Sequence, residues 1–223
     1  FDLPDYGAPQ PIDFVTGTVL TCAIVLIGMV ALYAFPLVYR ALHALRHPVV
    51  ITTVGGLLLG ILGFLGGPIT MFKGLTQMGE LLKDPGQYDA GQLAMIAGIK
   101  VVALLIAASA LFRGGRIFPA TFIGVALGLL GNALFPSIPI GLAVACGVIG
   151  ILVVVSRDGW LALFVAVAVA GDITLLPMLC VIILPAWLIV AAAPEFRILP
   201  AAADTPEPAK KPKPRSAGDA PTS

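Results

Sequence analysis

Long stretches without a charged side chain divide this sequence. No Asp, Glu, Lys or Arg occurs in residues 14–38, 49–72, 117–156 or 173–194. A helix needs roughly 20 apolar residues to cross the hydrocarbon core of a bilayer, and the third stretch is long enough for two passes. The pattern predicts an integral membrane protein that crosses the bilayer several times.

The first half of the chain predicts three long apolar helices. The first covers residues 14–38 and ends in a basic cluster at 40–47, which the positive-inside rule places in the cytoplasm. The second covers 49–65 and is rich in glycine, which lets helices approach closely in lipid. A polar loop at 69–90 then leads to the third helix, at 92–112.

Prolines interrupt the second half of the chain. They are Pro119, Pro136, Pro139, Pro177 and Pro185. We therefore expect four helices of unequal length, at 117–134, 139–156, 159–171 and 173–193, some of them too short to cross. Broken helices persist in lipid only where their freed backbone groups face protein or a watery cavity, so these segments indicate a transport site.

The two ends of the chain differ from its apolar centre. Residues 1–12 are polar and proline-rich, residues 13–193 form the predicted membrane region, and residues 194–223 are rich in proline and lysine. The last segment is typical of a disordered tail, and its basic run favours the cytoplasm. Because the chain begins with Phe1 instead of methionine, we expect a fragment or a processed chain.

Composition agrees with a membrane protein and argues against several other classes. Only 11% of the 223 residues are charged, whereas a soluble domain carries roughly 25%. The net charge of +1 gives no sign of a nucleic-acid partner. We expect no cofactor and no metal site, since the cysteines lie singly in apolar runs and His43 and His47 lack a third ligand.

The segment Gly114-Gly115-Arg116-Ile117-Phe118-Pro119 is the strongest candidate for a binding site. Two glycines leave the backbone unobstructed just before an apolar run that starts a helix. A helix N-terminus exposes unpaired N–H groups and about half an elementary charge. Within a membrane such an end can bind an anion through its backbone. An ordinary turn between helices is the alternative interpretation.

Two isolated charges in apolar surroundings each have two interpretations. Lys100 either biases a site toward anions or bonds backbone carbonyls at a helix break. Asp172 invites comparison with intramembrane aspartyl proteases, but cleavage by a carboxylate pair needs a second acid, and only Asp158 lies nearby, in a turn. We predict that Asp172 caps a helix beginning near Ile173, and that the chain is not an enzyme.

The run Gly115-Arg116-Ile117-Phe118-Pro119, followed by a helix with Gly124 and Gly128, resembles the Gly-x-Phe-x-Pro motif of the CLC superfamily of chloride channels and chloride/proton antiporters. The likeness is strongest to its YfeO-type bacterial subgroup and covers residues 12–193. Further sequence segments, in the same order as in that subgroup, support the likeness. They are Gly66-Gly67-Pro68 with Phe72-Lys73-Gly74-Leu75, Phe112-Arg113-Gly114, Arg157-Asp158-Gly159-Trp160-Leu161 and Leu184-Pro185-Ala186-Trp187-Leu188.

The resemblance implies an all-α membrane protein that forms the second inverted repeat of a CLC-type fold, with broken and re-entrant helices. It implies a bacterial inner-membrane location, chloride or a similar anion as the transported ion, and amides near Arg116 and Ile117 as anion ligands. It also implies a homodimer formed through helices near 159–171 and 173–193.

Two departures from the family pattern bear on the pore. Ile117 stands where the motif has phenylalanine, and residues 194–200 lack the expected tyrosine. The serine and glutamate motifs that complete the family's pore belong to its first half. We therefore expect that this repeat does not conduct by itself.

Two hypotheses about function follow. The first is the C-terminal half of an anion channel or chloride/proton antiporter. The second is a non-conducting membrane scaffold or assembly protein that kept the same fold. Chloride flux through the complete protein distinguishes them.

Overall fold

The computed structural model describes residues 6–7, 10–71, 74–112 and 114–193. Within these ranges the chain forms α-helices and two short 3₁₀ turns, with no strand. The α-helices are α1 (Pro11–His43), α2 (Pro48–Gly66), α3 (Leu75–Lys83), α4 (Ala90–Ser109), α5 (Ile117–Leu134), α6 (Ile140–Ser156), α7 (Gly159–Ala170) and α8 (Leu176–Ala192). Five helical stretches are long and apolar enough to span a bilayer: α1, α2, α4, α5 and the 173–192 segment that contains α8. The prediction of an all-helical membrane fold is confirmed.

Most helices lie where the hydrophobic pattern predicts them, and α5 has the predicted bounds. The polar loop predicted at 69–90 is wrong in part, because it contains α3. This helix buries Met78, Leu81 and Leu82, which lie three and four residues apart and form one apolar stripe. Charged residues on the other faces of α3 lower the mean hydropathy of the whole segment. The stripe therefore does not stand out as a long apolar stretch in the sequence.

Only some of the five prolines interrupt a helix. Pro136 and Pro139 lie in the connection between α5 and α6, as predicted. Pro119 and Pro177 lie in the first turns of α5 and α8, where a missing N–H is tolerated. Pro185 lies inside α8, which continues to Ala192, in agreement with the single helix predicted at 173–193. A proline within a membrane helix is tolerated where neighbouring groups satisfy the freed carbonyl.

The antiparallel pair α5 and α6 forms the centre of the fold. Most of its residues are fully buried. A Cβ on Gly124 would lie 2.7 Å from Cα of Val148, and one on Gly128 would lie 2.7 Å from Cα of Val144. The absence of side chains at these glycines lets the two backbones touch, as small residues do at helix interfaces in lipid.

Helix α1 runs parallel to α6 along one side of this pair. Gly17 of α1 lies against Cys146, and Gly28 lies against Val154 near the end of α6. The rest of the bundle surrounds this core, with α4 against α5 and α7 against α6. Helix α7 has 12 residues and is about 18 Å long. It is therefore too short to cross a hydrocarbon core of roughly 30 Å, as the sequence predicted for this part of the chain.

Candidate functional site: the start of helix α5

Helix packing determines what surrounds the start of α5. The antiparallel register of α5 and α6 brings Arg116, just before α5, beside the end of α6 at Ser156 and Arg157. The parallel course of α1 places Phe35 at the same level. All three lie toward the end of α1 that carries its basic cluster.

The first turn of α5 has no side-chain cap. Arg116 occupies the N-cap position with φ −85° and ψ −16°, and the hydrogen bonds of the helix begin with the Ala120 amide, 3.1 Å from the Arg116 carbonyl oxygen. The amides of Ile117 and Phe118 precede that bond. By contrast, α7 is capped by Asp158, whose Oδ1 accepts from the Leu161 amide at 3.0 Å.

The candidate segment lies on the exposed surface of this chain. Gly114 and Gly115 have open space where a Cβ would stand. Ile117 and Phe118 are 37% and 52% exposed, and Pro119 is half-buried. This arrangement presents backbone N–H groups and large apolar side chains together, so the segment forms one open wall and does not close a pocket around a ligand.

Two cavities flank this wall, and each contains a cationic side chain. The first, which we call the arginine cavity, has a volume of ≈ 200 Å³ and lies between α1, α4, α5 and α6, with Arg116 and Arg157 in its lining. The second, the lysine cavity, has a volume of ≈ 420 Å³ and lies between α2 and α4, with Lys100 and Pro119 in its lining. Leu104 lines both. The start of α5 therefore lies in a region of positive charge.

Comparison with known proteins identifies the family. The sequence profile of the voltage gated chloride channel family matches residues 1–191. The chain belongs to this family. It is 43% identical over 200 residues to a protein named "Putative ion-transport protein YfeO" from Escherichia coli O1:K1, covering 89% of this chain and 48% of the relative. The protein of the same name from Escherichia coli strain K12 is 42% identical over the same length.

The resemblance to CLC proteins and to their YfeO-type subgroup is thus confirmed, as is a membrane protein with several spans. The chain spans about half the length of the curated relatives it matches, since it covers 48% of the first of them. The activity of those full-length relatives is therefore only proposed for this chain.

In this CLC family member, Lys100 makes the contact that was predicted for a structural lysine, a bond to a backbone carbonyl at a helix break. Its side chain is 4% exposed, and its Nζ donates to the Met71 carbonyl oxygen at 3.3 Å. Met71 follows the helix break at Gly66-Gly67-Pro68. The ammonium also stands 5.0 Å from the centroid of the Phe122 ring, a favourable cation–π distance. Lys100 thus links α4 to the chain after α2 and contributes positive charge to the lysine cavity.

Asp172 caps a helix, as predicted. Its Oδ1 accepts from the Thr174 hydroxyl at 2.7 Å and from the Thr174 amide at 2.8 Å, and its Oδ2 accepts from the Tyr6 amide at 3.1 Å. These bonds, the Thr174 hydroxyl first, lower the pKa of Asp172. Asp158 caps α7, and that whole helix of about 18 Å separates the two carboxylates. A pair of acids sharing one water does not fit this arrangement.

Arg157 is the residue that the sequence interpretation missed, since its turn looked structural. It ends α6 in a left-handed conformation with φ 53° and donates from Nη2 to the Ala193 carbonyl oxygen at 3.2 Å. One signal could have placed it near Arg116. The helices predicted at 117–134 and 139–156 have similar lengths and a short connection, so they form a hairpin whose far ends meet.

Proposed function

We propose that this chain is the C-terminal half of a CLC-type anion channel or chloride/proton antiporter. In this proposal the amides near Arg116 and Ile117, at the start of α5, form part of a chloride site. The observation that carries the proposal is the uncapped, exposed first turn of α5, flanked by two cavities that contain cationic side chains.

Backbone donors suit an ion that must bind and leave quickly. The first N–H groups of a helix and its dipole attract an anion without placing a full positive charge against it. The cations of the two cavities raise the local anion concentration at longer range, because fields in a low-dielectric cleft are weakly screened. Anions are thereby favoured over cations while no single contact traps them.

The opposite wall of the site comes, in this proposal, from the other half of the complete protein. The curated relatives are about twice as long as the matched region, and the exposed side chains of Ile117 and Phe118 offer an apolar surface for that half to cover. We further propose a homodimer in a bacterial inner membrane, formed through α7 and α8, with the tail at 194–223 in the cytoplasm. The tail lies outside the described residues.

Flux measurements on the complete protein test this function. The full-length polypeptide, including the upstream half, is reconstituted in liposomes, and chloride efflux is recorded with and without a proton gradient. We expect efflux above that of empty vesicles. Chloride efflux that drives protons uphill identifies an antiporter, and efflux indifferent to the gradient identifies a channel. Flux equal to that of empty vesicles would reject transport and favour the non-conducting scaffold.

Replacing Ile117 with proline tests the proposed amide site. Ile117→Pro removes one N–H at the first position of α5, where helices often carry proline, and it also shifts Arg116 from φ −85°, ψ −16° toward an extended conformation. Loss of one hydrogen bond to a charged partner, about 1.5–3 kcal/mol, predicts that chloride affinity falls at least about tenfold. Calorimetric titration of the complete protein with chloride measures it.

Ile140→Pro is the matched control, since Ile140 is the first residue of α6, at the opposite end of the α5–α6 pair, and Pro139 already holds an extended conformation before it. We expect the control to keep its chloride affinity. Equal affinities of Ile117→Pro and Ile140→Pro, both folded, would contradict a backbone site at α5.

A further inference from the structure

We propose that the arginine cavity binds an anionic phospholipid of the cytoplasmic leaflet. In this complex Arg116 and Arg157 hold the phosphate group, and an acyl chain lies against the apolar wall formed by α1, α4 and α6. The site adjoins the proposed chloride site, because Arg116 lies at the start of α5, but it uses side chains that line a cavity and not the amides of α5.

The lining of the cavity has two chemically different parts. Its polar lining residues are Arg116, Arg157 and Ser156. The rest is apolar, formed by residues from four helices: Leu32, Phe35, Val101, Leu105, Ile123 and Val154. Guanidinium groups pair well with phosphate, since their planar donors match two phosphate oxygens at once. A ligand that satisfies both parts has an anionic head and a hydrocarbon chain.

A small inorganic anion does not fit the lining equally well. Chloride or phosphate in this cavity would meet hydrocarbon over most of its surface, and moving an ion out of water against such a wall is unfavourable. An acyl chain gains free energy with each methylene that it buries. The apolar wall therefore favours a lipid over a free anion.

The position of the cavity along α1 places it near a headgroup layer. Phe35 lines the cavity, and α1 continues for two turns, about 12 Å, to His43 and the cluster that follows. Arg40 and Arg46 make that end the cytoplasmic one by the positive-inside rule. Anionic lipids are enriched in that leaflet and attract basic side chains at its surface. The cavity is also accessible from outside the bundle, since Ala108 and Arg116 are exposed.

Lipid titration of the complete protein tests the proposal. The detergent-purified protein is titrated with phosphatidylglycerol, with phosphatidylcholine of the same chains, and with glycerol 3-phosphate, and bound ligand is counted by native mass spectrometry. We expect phosphatidylglycerol to bind at least about tenfold more tightly than either of the others. Arg157→Gln should lower its affinity about tenfold, and Arg157→Lys, which keeps the charge but loses the bidentate fork, should lower it by a smaller factor.

Two further variants separate the two parts of the site. Ala108→Trp, at an exposed position in the lining, fills the cavity without changing any charge, and it should lower phosphatidylglycerol affinity as strongly as Arg157→Gln does. Lys83→Gln removes an exposed cation that does not line the cavity, and affinity should stay within twofold of the original.

Several results would overturn the proposal. Equal binding of phosphatidylglycerol and phosphatidylcholine would remove the role of the guanidinium groups. Glycerol 3-phosphate binding as tightly as the lipid, or full affinity in Ala108→Trp, would remove the role of the apolar wall. Full affinity in both Arg157→Gln and Ala108→Trp would show that the lipid binds outside the arginine cavity. Chloride flux in vesicles of phosphatidylcholine alone tests the proposed transport function separately.

Discussion

At the scale of single residues, glycine determines how closely the central helices pack. A Cβ on Gly147 would overlap the carbonyl oxygen of Gly124, and one on Gly124 would overlap Val148. Both obstacles are backbone atoms, which cannot rotate away as a side chain can. Gly98 of α4, by contrast, has nothing within 4 Å of the position that a Cβ would take. The same residue type therefore has different importance at these sites.

Gly147→Ala should destabilise the complete protein, because α5 and α6 must move apart to admit the methyl group. Overpacking of this kind costs about 1–3 kcal/mol. Gly98→Ala is the control, and it should leave stability unchanged or raise it by up to about 1 kcal/mol through helix propensity. Thermal unfolding in detergent, followed by size-exclusion fluorescence, compares the two. Equal melting temperatures would show that the α5–α6 contact tolerates a side chain.

At the scale of elements, the helices differ in how their N-termini are satisfied. Asp158 caps α7, and Asp172 caps the 173–175 turn that precedes α8. The start of α5 has no side-chain cap. A cap on α5 would occupy the amides that the proposed site needs. Because α2, α3 and α6 also have no side-chain cap, its lack permits a ligand at α5 but does not by itself indicate one. Asp172 also accepts from the Tyr6 amide, which ties the beginning of the chain to α8.

The pH dependence of stability should report the cap at Asp172. Because its pKa is lowered in the folded protein, the carboxylate stabilises the fold above the ordinary aspartate pKa of about 4, and this contribution is lost as pH falls through the lower, folded value. Asp172→Asn keeps a capping oxygen but does not titrate. We expect the melting temperature of the original protein to exceed that of the variant at pH 6.

As pH falls below the ordinary aspartate pKa of about 4, the difference between the two melting temperatures should shrink, since the aspartate becomes protonated. Other carboxylates titrate equally in both proteins and cancel in the difference. A difference that does not change between pH 6 and pH 3 would show that the hydrogen bonds of Asp172 do not favour its charged form.

At the scale of the whole molecule, α7 and α8 expose large apolar side chains. Trp160, Phe164, Leu184 and Leu188 are 71%, 57%, 59% and 68% exposed. Such a surface contacts either lipid or a second subunit, and the proposed homodimer assigns it to the subunit. Exposed apolar side chains occur on α2 as well, where Phe64 is 85% exposed. Both surfaces are apolar, so exposure alone does not distinguish a dimer contact from a lipid contact. Substitutions on each surface can distinguish them.

Substituting both Phe164 and Leu188 with alanine should weaken the dimer of the complete protein. Truncating two central side chains of an interface costs more than about 1.4 kcal/mol, or at least tenfold in the dissociation constant. Phe64→Ala, on α2, should leave the constant unchanged. Single-molecule photobleaching in liposomes of decreasing protein density measures it. An equal dimer fraction in all three proteins would exclude α7 and α8 as the interface.

Much of the fold follows from the sequence because its determinants are local. The cost of placing a charge in hydrocarbon keeps Asp, Glu, Lys and Arg near the ends of the membrane helices, with Lys100 of α4 as an exception, and this marks the positions of the helices along the chain. The motif at 114–119 could be located in the same way, since two glycines before an apolar run specify a helix start. The hydrophobic pattern did not predict helix α3, because its apolar stripe consists of three residues within a charged segment.

By itself, the sequence determined the helical membrane fold, the family likeness and the start of α5. Only the tertiary structure decided what surrounds that start. Arg116 and Arg157 are far apart along the chain and line one cavity because glycine contacts set the register of α5 against α6. Lys100 reaches the Met71 carbonyl because α4 packs beside the break after α2. Hydrophobic periodicity specifies which face of a helix is buried, but close contact between backbones decides which residues of two helices meet.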